Sequence, residues 1–379
     1  MEFPDTGIAV TLSTAQDAVR RVSIRSGRLV RAAALFAGRT PAQVLTLLPT
    51  VFSLCGTAQA LTGLTAMETA AGLTATPATR QARRILVLAE TIAEHGLTLC
   101  RDWPPLLGEA PDLDAARRWK QDFGAIRPLL YPDGDALSPG GGRLAPDRAA
   151  LLRTAAAGRD LLDHVLGAPA DSVLADAAAF AGWLKRAPGA CARLLAEAGW
   201  PCPLGTPTPM PPAGPADLDL RLRTDRNGDY LARPDSAGIV CETGAFARRA
   251  GHPLVAALNG FAAQARLTAR LVDMAAALRE LAGLVQDLTG QPAGPVSLTD
   301  GTGLATTEAA RGLLAHRVSL EGGRVSDYRI LAPTEWNFHP DGPLARTLAG
   351  LTADAGLERR AVLLVNAFDP CVPCRVTVE

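Results

Sequence analysis

Three long stretches of this chain repeat apolar residues with the period of an α-helix, and that constrains the fold more than anything else in it. In ATRQARRILVLAETIAEHGLTLCRD (78–102), Ile85, Leu86, Leu88, Ile92 and Leu99 fall on one broad side. DRAALLRTAAAGRDLLDHVLG (147–167) and AAQARLTARLVDMAAALRELAGLVQDL (262–288) carry the same stripe, with Arg, Asp and Glu opposite. Each stripe needs a partner to cover it, so a largely helical body with a shared core is expected. Aromatic residues make up only 4% of the chain, so that core is aliphatic and stacking platforms for nucleic-acid bases are not expected.

Between the helical stretches, shorter segments read as strands. VSIRSGRLVRAAAL (22–35) alternates around Ser26-Gly27 and predicts a β-hairpin. HRVSLEGGRVSDYRILAP (316–333) predicts another, turning at Gly322-Gly323, and RAVLLVNAF (360–368) reads as a last strand. Two stretches dense in Pro and Gly, 131–147 and 200–219, read as loops. The fold class is therefore α+β, predominantly helical with short antiparallel hairpins. Because the chemically interesting residues lie near both ends, the 379 residues are read as one domain, 1–379.

Charge excludes several partners. Lys plus Arg equals Asp plus Glu, 38 against 38, which removes the electrostatic argument for nucleic acid or an anionic membrane. From Thr40 to Met67 no residue is charged, yet the stretch holds two Pro, two Gly, two Gln and six Thr. That composition predicts a buried segment around Cys55 rather than a membrane span. The first twenty residues lack a basic start followed by an apolar run, so a reducing cytoplasm is the expected compartment.

In such a compartment, Cys371-Val-Pro-Cys374, five residues before the last residue, reads as redox or metal chemistry. A thioredoxin-like pair needs a helix after its first Cys to lower the thiol pKa, and no useful length of chain follows. A structural zinc site wants four ligands, and a second Cys-x-x-Cys is absent. Two buried core thiols remain the plain alternative.

DPCVPC (369–374) resembles the Asp-Pro-Cys-x-x-Cys motif of [NiFe] hydrogenase large subunits. VFSLCGTAQA around Cys55 is similar to the family's amino-terminal Arg-x-Cys-Gly-x-Cys motif. AARGLLAHRVSLEGGRVSDYRILAPTEWNFHPDGPL (309–344) resembles its Pro-Arg-Gly segment, hairpin and Pro-Thr-Thr-Trp-Asn segment, and GIVCETGAFARRAGHPL (238–254) its Glu-Val-Gly-Pro-Leu-Ala-Arg stretch. The resemblance implies a hydrogenase large-subunit-like fold in which Cys55, Cys371 and Cys374 match metal thiolates. Arg311 and Thr334 match the donors to the iron's cyanide ligands, and Glu242 matches a motif Glu. Departures are as informative. Ala58 stands where the second bridging thiolate is expected, and Thr62 and Thr377 stand where each motif carries His. A centre so depleted is a poor permanent holder of nickel and iron.

This pattern resembles the HupK/HoxV branch of hydrogenase assembly proteins, large-subunit look-alikes without enzyme activity. It implies a scaffold that transiently holds an Fe(CN)2CO unit, without nickel, between the maturation proteins and the hydrogenase large-subunit precursor. A metal-free docking module and a degenerate hydrogenase or sensor subunit are the other readings. Asp102, His316 and His339 are expected to be structural, as are Cys100, Cys191, Cys202 and Cys241.

Overall fold

A computed structural model describes residues 7–202, 215–294 and 296–379. In chain order its main elements are strands β1 (Ile8–Ala15) and β2 (Ala18–Ser26), then helices α1 (Pro41–Val51), α2 (Gly56–Ala70), α3 (Pro77–Leu97), α4 (Leu113–Gly124), α5 (Arg148–Leu166) and α6 (Ala262–Asp287). Strands β3 (Gly301–Ala309), β4 (Gly312–Glu321) and β5 (Arg324–Leu331) follow, then α7 (Pro333–Asn337), α8 (Leu357–Ala367) and β6 (Cys374–Val378). The α+β, mainly helical class holds. The chain forms two compact units: unit 1 comprises Met1–Ala32, Val173–Asp273 and Leu331–Glu379, unit 2 Ala33–Ser172 and Met274–Ile330.

Unit 1 is built on a sheet of order β2-β1-β6. β1 pairs antiparallel with β2 and parallel with β6, so Ile8 lies beside both Ser26 and Cys374. Ile8, Val10 and Leu12 alternate into the core, the period-two pattern of a half-buried strand. Here the sequence reading needs correction. The first hairpin is not 22–35 but β1–β2, turning at Gln16 (φ 51°) and Asp17 (φ 58°). Two left-handed residues make the tight turn whose twist suits a hairpin, and without glycine it gives no signal in the sequence.

A second correction concerns 360–368, which belongs to α8 rather than to a strand. Leu357, Ala361, Leu364 and Val365 are buried at helical spacing, a pattern that a nine-residue apolar run conceals. The helix stops at Asp369, whose φ of 53° turns the chain into Pro370 and the cysteine pair. Arg270 lies 3.5 Å from the Asp369 carboxylate, so the Asp-Pro step is a pinned turn between α8 and β6.

Unit 2 is organised around α2, whose Ala58, Ala60, Leu64, Ala66 and Met67 are fully buried. It packs on the sheet β3-β4-β5. Gly303 permits the approach, because a Cβ there would stand 2.1 Å from the carbonyl oxygen of Ala66. α3 packs on α4, where Gly96 faces the Trp119 ring. The helices expected at 78–102, 147–167 and 262–288 are α3, α5 and α6, and the late hairpin turns at Gly322 and Gly323 (φ 59° and 70°) as expected.

The uncharged stretch becomes α1 and α2, bent by 101° at their junction. Among the described residues no single helix is long and apolar enough to cross a membrane; this bent pair passes by length and composition, and α2 is mostly buried. The loop 131–147 is irregular apart from a short turn at Pro139–Gly141. Of the loop expected at 200–219, residues 203–214 lie outside the described residues, and Pro215–Thr224 is helical.

Candidate functional site

In unit 1, three distant segments meet at the sulfur of Cys371. Arg28 leaves the end of β2 and donates from Nη1 to Cys371 Sγ at 2.6 Å. Thr334, in the first turn of α7, places its hydroxyl 2.9 Å from the same sulfur. The next residue, Glu335, accepts from Arg28 Nε at 2.7 Å and so sets the plane of the guanidinium. Asn337 of the same short helix accepts from the Thr243 backbone N–H at 3.0 Å, tying APTEWN to the CETGAF segment. β1 holds the pair in place as well, for Ile8 N–H donates to Pro373 O at 3.0 Å.

The two terminal thiols have unlike surroundings. A cation and a hydroxyl face Cys371, the kind of partners that satisfy a sulfur anion. Burial pushes the Cys374 thiol up to about 12, with the charge of Cys371 adding to the effect. Cys374 is therefore protonated at neutral pH, and a metal that takes this sulfur must displace its proton.

Glu242 spends both carboxylate oxygens on Arg266, at 2.7 Å each, with the pair almost wholly buried. The Arg266 guanidinium lies over the rings of Phe246 and Phe368, 4.7 and 4.1 Å from their centroids. That is the geometry of a core ion pair.

The remaining sequence-selected residues lie in unit 2. Cys55 stands at the start of α2, with Gln59 Nε2 3.6 Å from its sulfur. Gln59 is held in turn, since its Oε1 is 2.9 Å from His316 Nε2, and His316 Nδ1 is 2.8 Å from the Tyr328 hydroxyl. Burial drives His316 down to about 3, so the ring is neutral and belongs to a core network, as expected of it. Glu90 accepts the Thr57 and Ala58 N–H groups at the amino-terminal end of α2, at 2.6 and 2.9 Å. Its burial raises the carboxyl to about 7 against the pull of those two bonds. Ala58 is fully buried, and Thr62 bonds back to its carbonyl at 2.6 Å instead of reaching outward. Arg311, in the two-residue turn between β3 and β4, donates to Glu94 at 3.0 Å.

The structure thus joins Cys371 to Thr334, keeps Cys374 three residues away on β6, and ties Glu242 to Arg266. Sequence reasoning missed Arg28, Glu335, Gln59 and Glu90. Arg28 was legible only as a hairpin residue. Asp102 pairs with Arg101, His339 closes a turn by accepting from Asp341 N–H, and Cys100, Cys191, Cys202 and Cys241 are buried. Among the described residues no three His, Cys, Asp or Glu side chains are grouped in a way that could hold a metal ion.

The carboxy-terminal third, residues 255–377, matches the nickel-dependent hydrogenase family. Over 341 residues the chain is 35% identical to the hydrogenase expression/formation protein HupK of Bradyrhizobium diazoefficiens, covering 89% of this chain and 87% of that one. The chain belongs to the HupK/HoxV family of hydrogenase expression/formation proteins. HoxV of Cupriavidus necator is 34% identical over 356 residues, covering 90% of this chain and 89% of its own length. In fold, the chain is similar to the Ni-Fe-Se hydrogenase of D. vulgaris Hildenborough, with a TM-score of 0.65 at 18% identity over 95% of this chain and 94% of that one. It therefore has a hydrogenase large-subunit fold, and the HupK/HoxV members it matches are named for expression and formation rather than as hydrogenases.

Proposed function

We propose that this protein is a non-enzymatic carrier in hydrogenase maturation, which receives an Fe(CN)2CO unit and passes it to a hydrogenase large-subunit precursor in the cytoplasm. The observation that carries the reading is the setting of Cys371: a Cys-x-x-Cys whose first sulfur is met by a guanidinium and a hydroxyl. These groups stabilise negative charge on sulfur and on anionic ligands near it. Cys374 is the second thiolate, and Cys55 and Arg311 are assigned by the family resemblance. Ala58 supplies no sulfur, which favours iron over a lasting nickel–iron pair and suits a protein that must let its cargo go. Capture releases the Cys374 proton, so affinity rises with pH and weakens as pH falls.

The test is metal analysis with infrared spectroscopy on protein isolated from cells expressing the maturation system. Iron with CO and CN bands, without nickel, is the expected result. Cys374→Ala should lose the iron, Cys371→Ala and Cys55→Ala should weaken its retention, and Cys100→Ala should leave it unchanged. Stoichiometric nickel, or full retention by Cys374→Ala, overturns the proposal. A metal-free protein indifferent to all three cysteines is instead a docking module.

A further inference from the structure

Arg28 and Thr334, the two residues that touch the Cys371 sulfur, also line a cavity of about 310 Å³ in unit 1. Its charged lining is Arg25, Arg28, Arg233 and Glu335, three cations against one anion, with Thr334 among the uncharged residues. Arg25 and Arg233 are exposed, whereas Arg28 and Glu335 lie deeper. Aliphatic and aromatic groups, Ile24, Val30 and Phe338, complete the wall. A cationic hollow with an apolar lining suits small anions of low hydration, whose charge finds guanidinium while their bodies rest on hydrocarbon.

Glu335 supplies the second observation. It is only 8% exposed, one oxygen holds Arg28, and the other, Oε2, is buried without a hydrogen-bond partner. A buried carboxylate oxygen left without a donor is costly, and a bond made to it in the loaded state relieves that cost. In this state Arg28 donates from Nε to Glu335 Oε1 and from Nη1 to the sulfur of Cys371. Once that sulfur gives its lone pair to a metal, it becomes a poorer acceptor. A small rotation of the guanidinium then brings a second N–H onto Oε2 and frees Nη1 for a ligand in the cavity.

We propose that the cavity is the berth for the cyanide ligands of the iron unit, and that Arg28, steered by Glu335, is the positioning residue that donates to cyanide nitrogen. This rests on the carrier reading above and adds a recognition residue that the family resemblance does not assign. Thr334 stands on the same wall and supplies a hydroxyl donor.

The experiment compares wild type, Arg28→Lys, Arg28→Leu and Glu335→Gln, isolated from cells expressing the maturation system. It reads iron per chain and the separate CO and CN infrared bands. Arg28→Leu should retain iron about 10–100-fold more weakly, the scale for outer partners of a metal site. Arg28→Lys keeps the charge but loses the planar fork, so it should move the CN bands more than the CO band. Glu335→Gln should shift the CN bands in the same sense. Because Lys preserves charge and most of the packing, that variant decides the matter if Arg28→Leu fails to accumulate. Wild-type protein without CN bands removes the carrier reading and the berth together. Wild-type bands reproduced unchanged in Arg28→Lys remove the berth alone.

Discussion

Replacing Glu242 by Ala separates a core role from a cargo role, and the structure fixes the expected size. The substitution strips Arg266 of two bonds of 2.7 Å and leaves its charge in a site where the arginine side chain is 1% exposed. Breaking one side of a buried pair costs about 3–5 kcal/mol. The two rings facing the guanidinium and the bond from Nη1 to Ala262 O soften the loss, so the lower end, about 3 kcal/mol, is expected. Urea unfolding followed by circular dichroism should show the midpoint falling by about 1 M or more. Adding Arg266→Met to a Glu242→Leu background should recover most of the stability, because apolar replacement of a buried pair is close to neutral. If Glu242→Ala stays within about 1 kcal/mol of wild type but loses its iron, the carboxylate belongs to the cargo pocket and the core assignment is wrong.

His316 makes stability depend on pH. Its pKa falls from 6.5 to about 3 on folding, so below pH 6.5 the unfolded chain binds a proton that the native chain refuses. Its contribution is therefore present above 6.5 and lost at about 1.4 kcal/mol per unit as pH falls. Glu90, raised from 4.5 to about 7, acts in the opposite sense over part of this range, so the readout is the difference in slope between wild type and His316→Gln from pH 7 to 5. Equal slopes in the two proteins refute the assignment. Gly63→Ala places a Cβ 2.5 Å from the Tyr328 hydroxyl and 2.7 Å from Leu48 Cδ1, and should lower stability by about 1–3 kcal/mol in thermal unfolding. Ala58→Cys supplies the missing thiol at the start of α2 and should tighten iron retention while slowing transfer to the precursor in a reconstituted assay; faster transfer contradicts the account of Ala58.

Local chemistry decided the elements that sequence made legible. The double glycine at 322–323 sets the turn of β4–β5, and helical periodicity sets α3, α5 and α6. The resemblance at Cys371 and Thr334 named two residues that the fold brings to 2.9 Å.

What the sequence could not show were arrangements made only by long-range pairing. β1 looked unremarkable because its turn, Gln16-Asp17, lacks glycine, and it became the centre of a sheet by pairing with a strand more than 360 residues away. RAVLLVNAF suits either element by itself; burial of one helical face settled it. Arg28 shows the limit most clearly. In the sequence it is an ordinary charge after a strand, and its meaning comes from Glu335 and Cys371, separated from it by 307 and 343 residues. Periodicity and turn chemistry are written in neighbouring residues, whereas a guanidinium over a sulfur exists only once the chain has closed on itself.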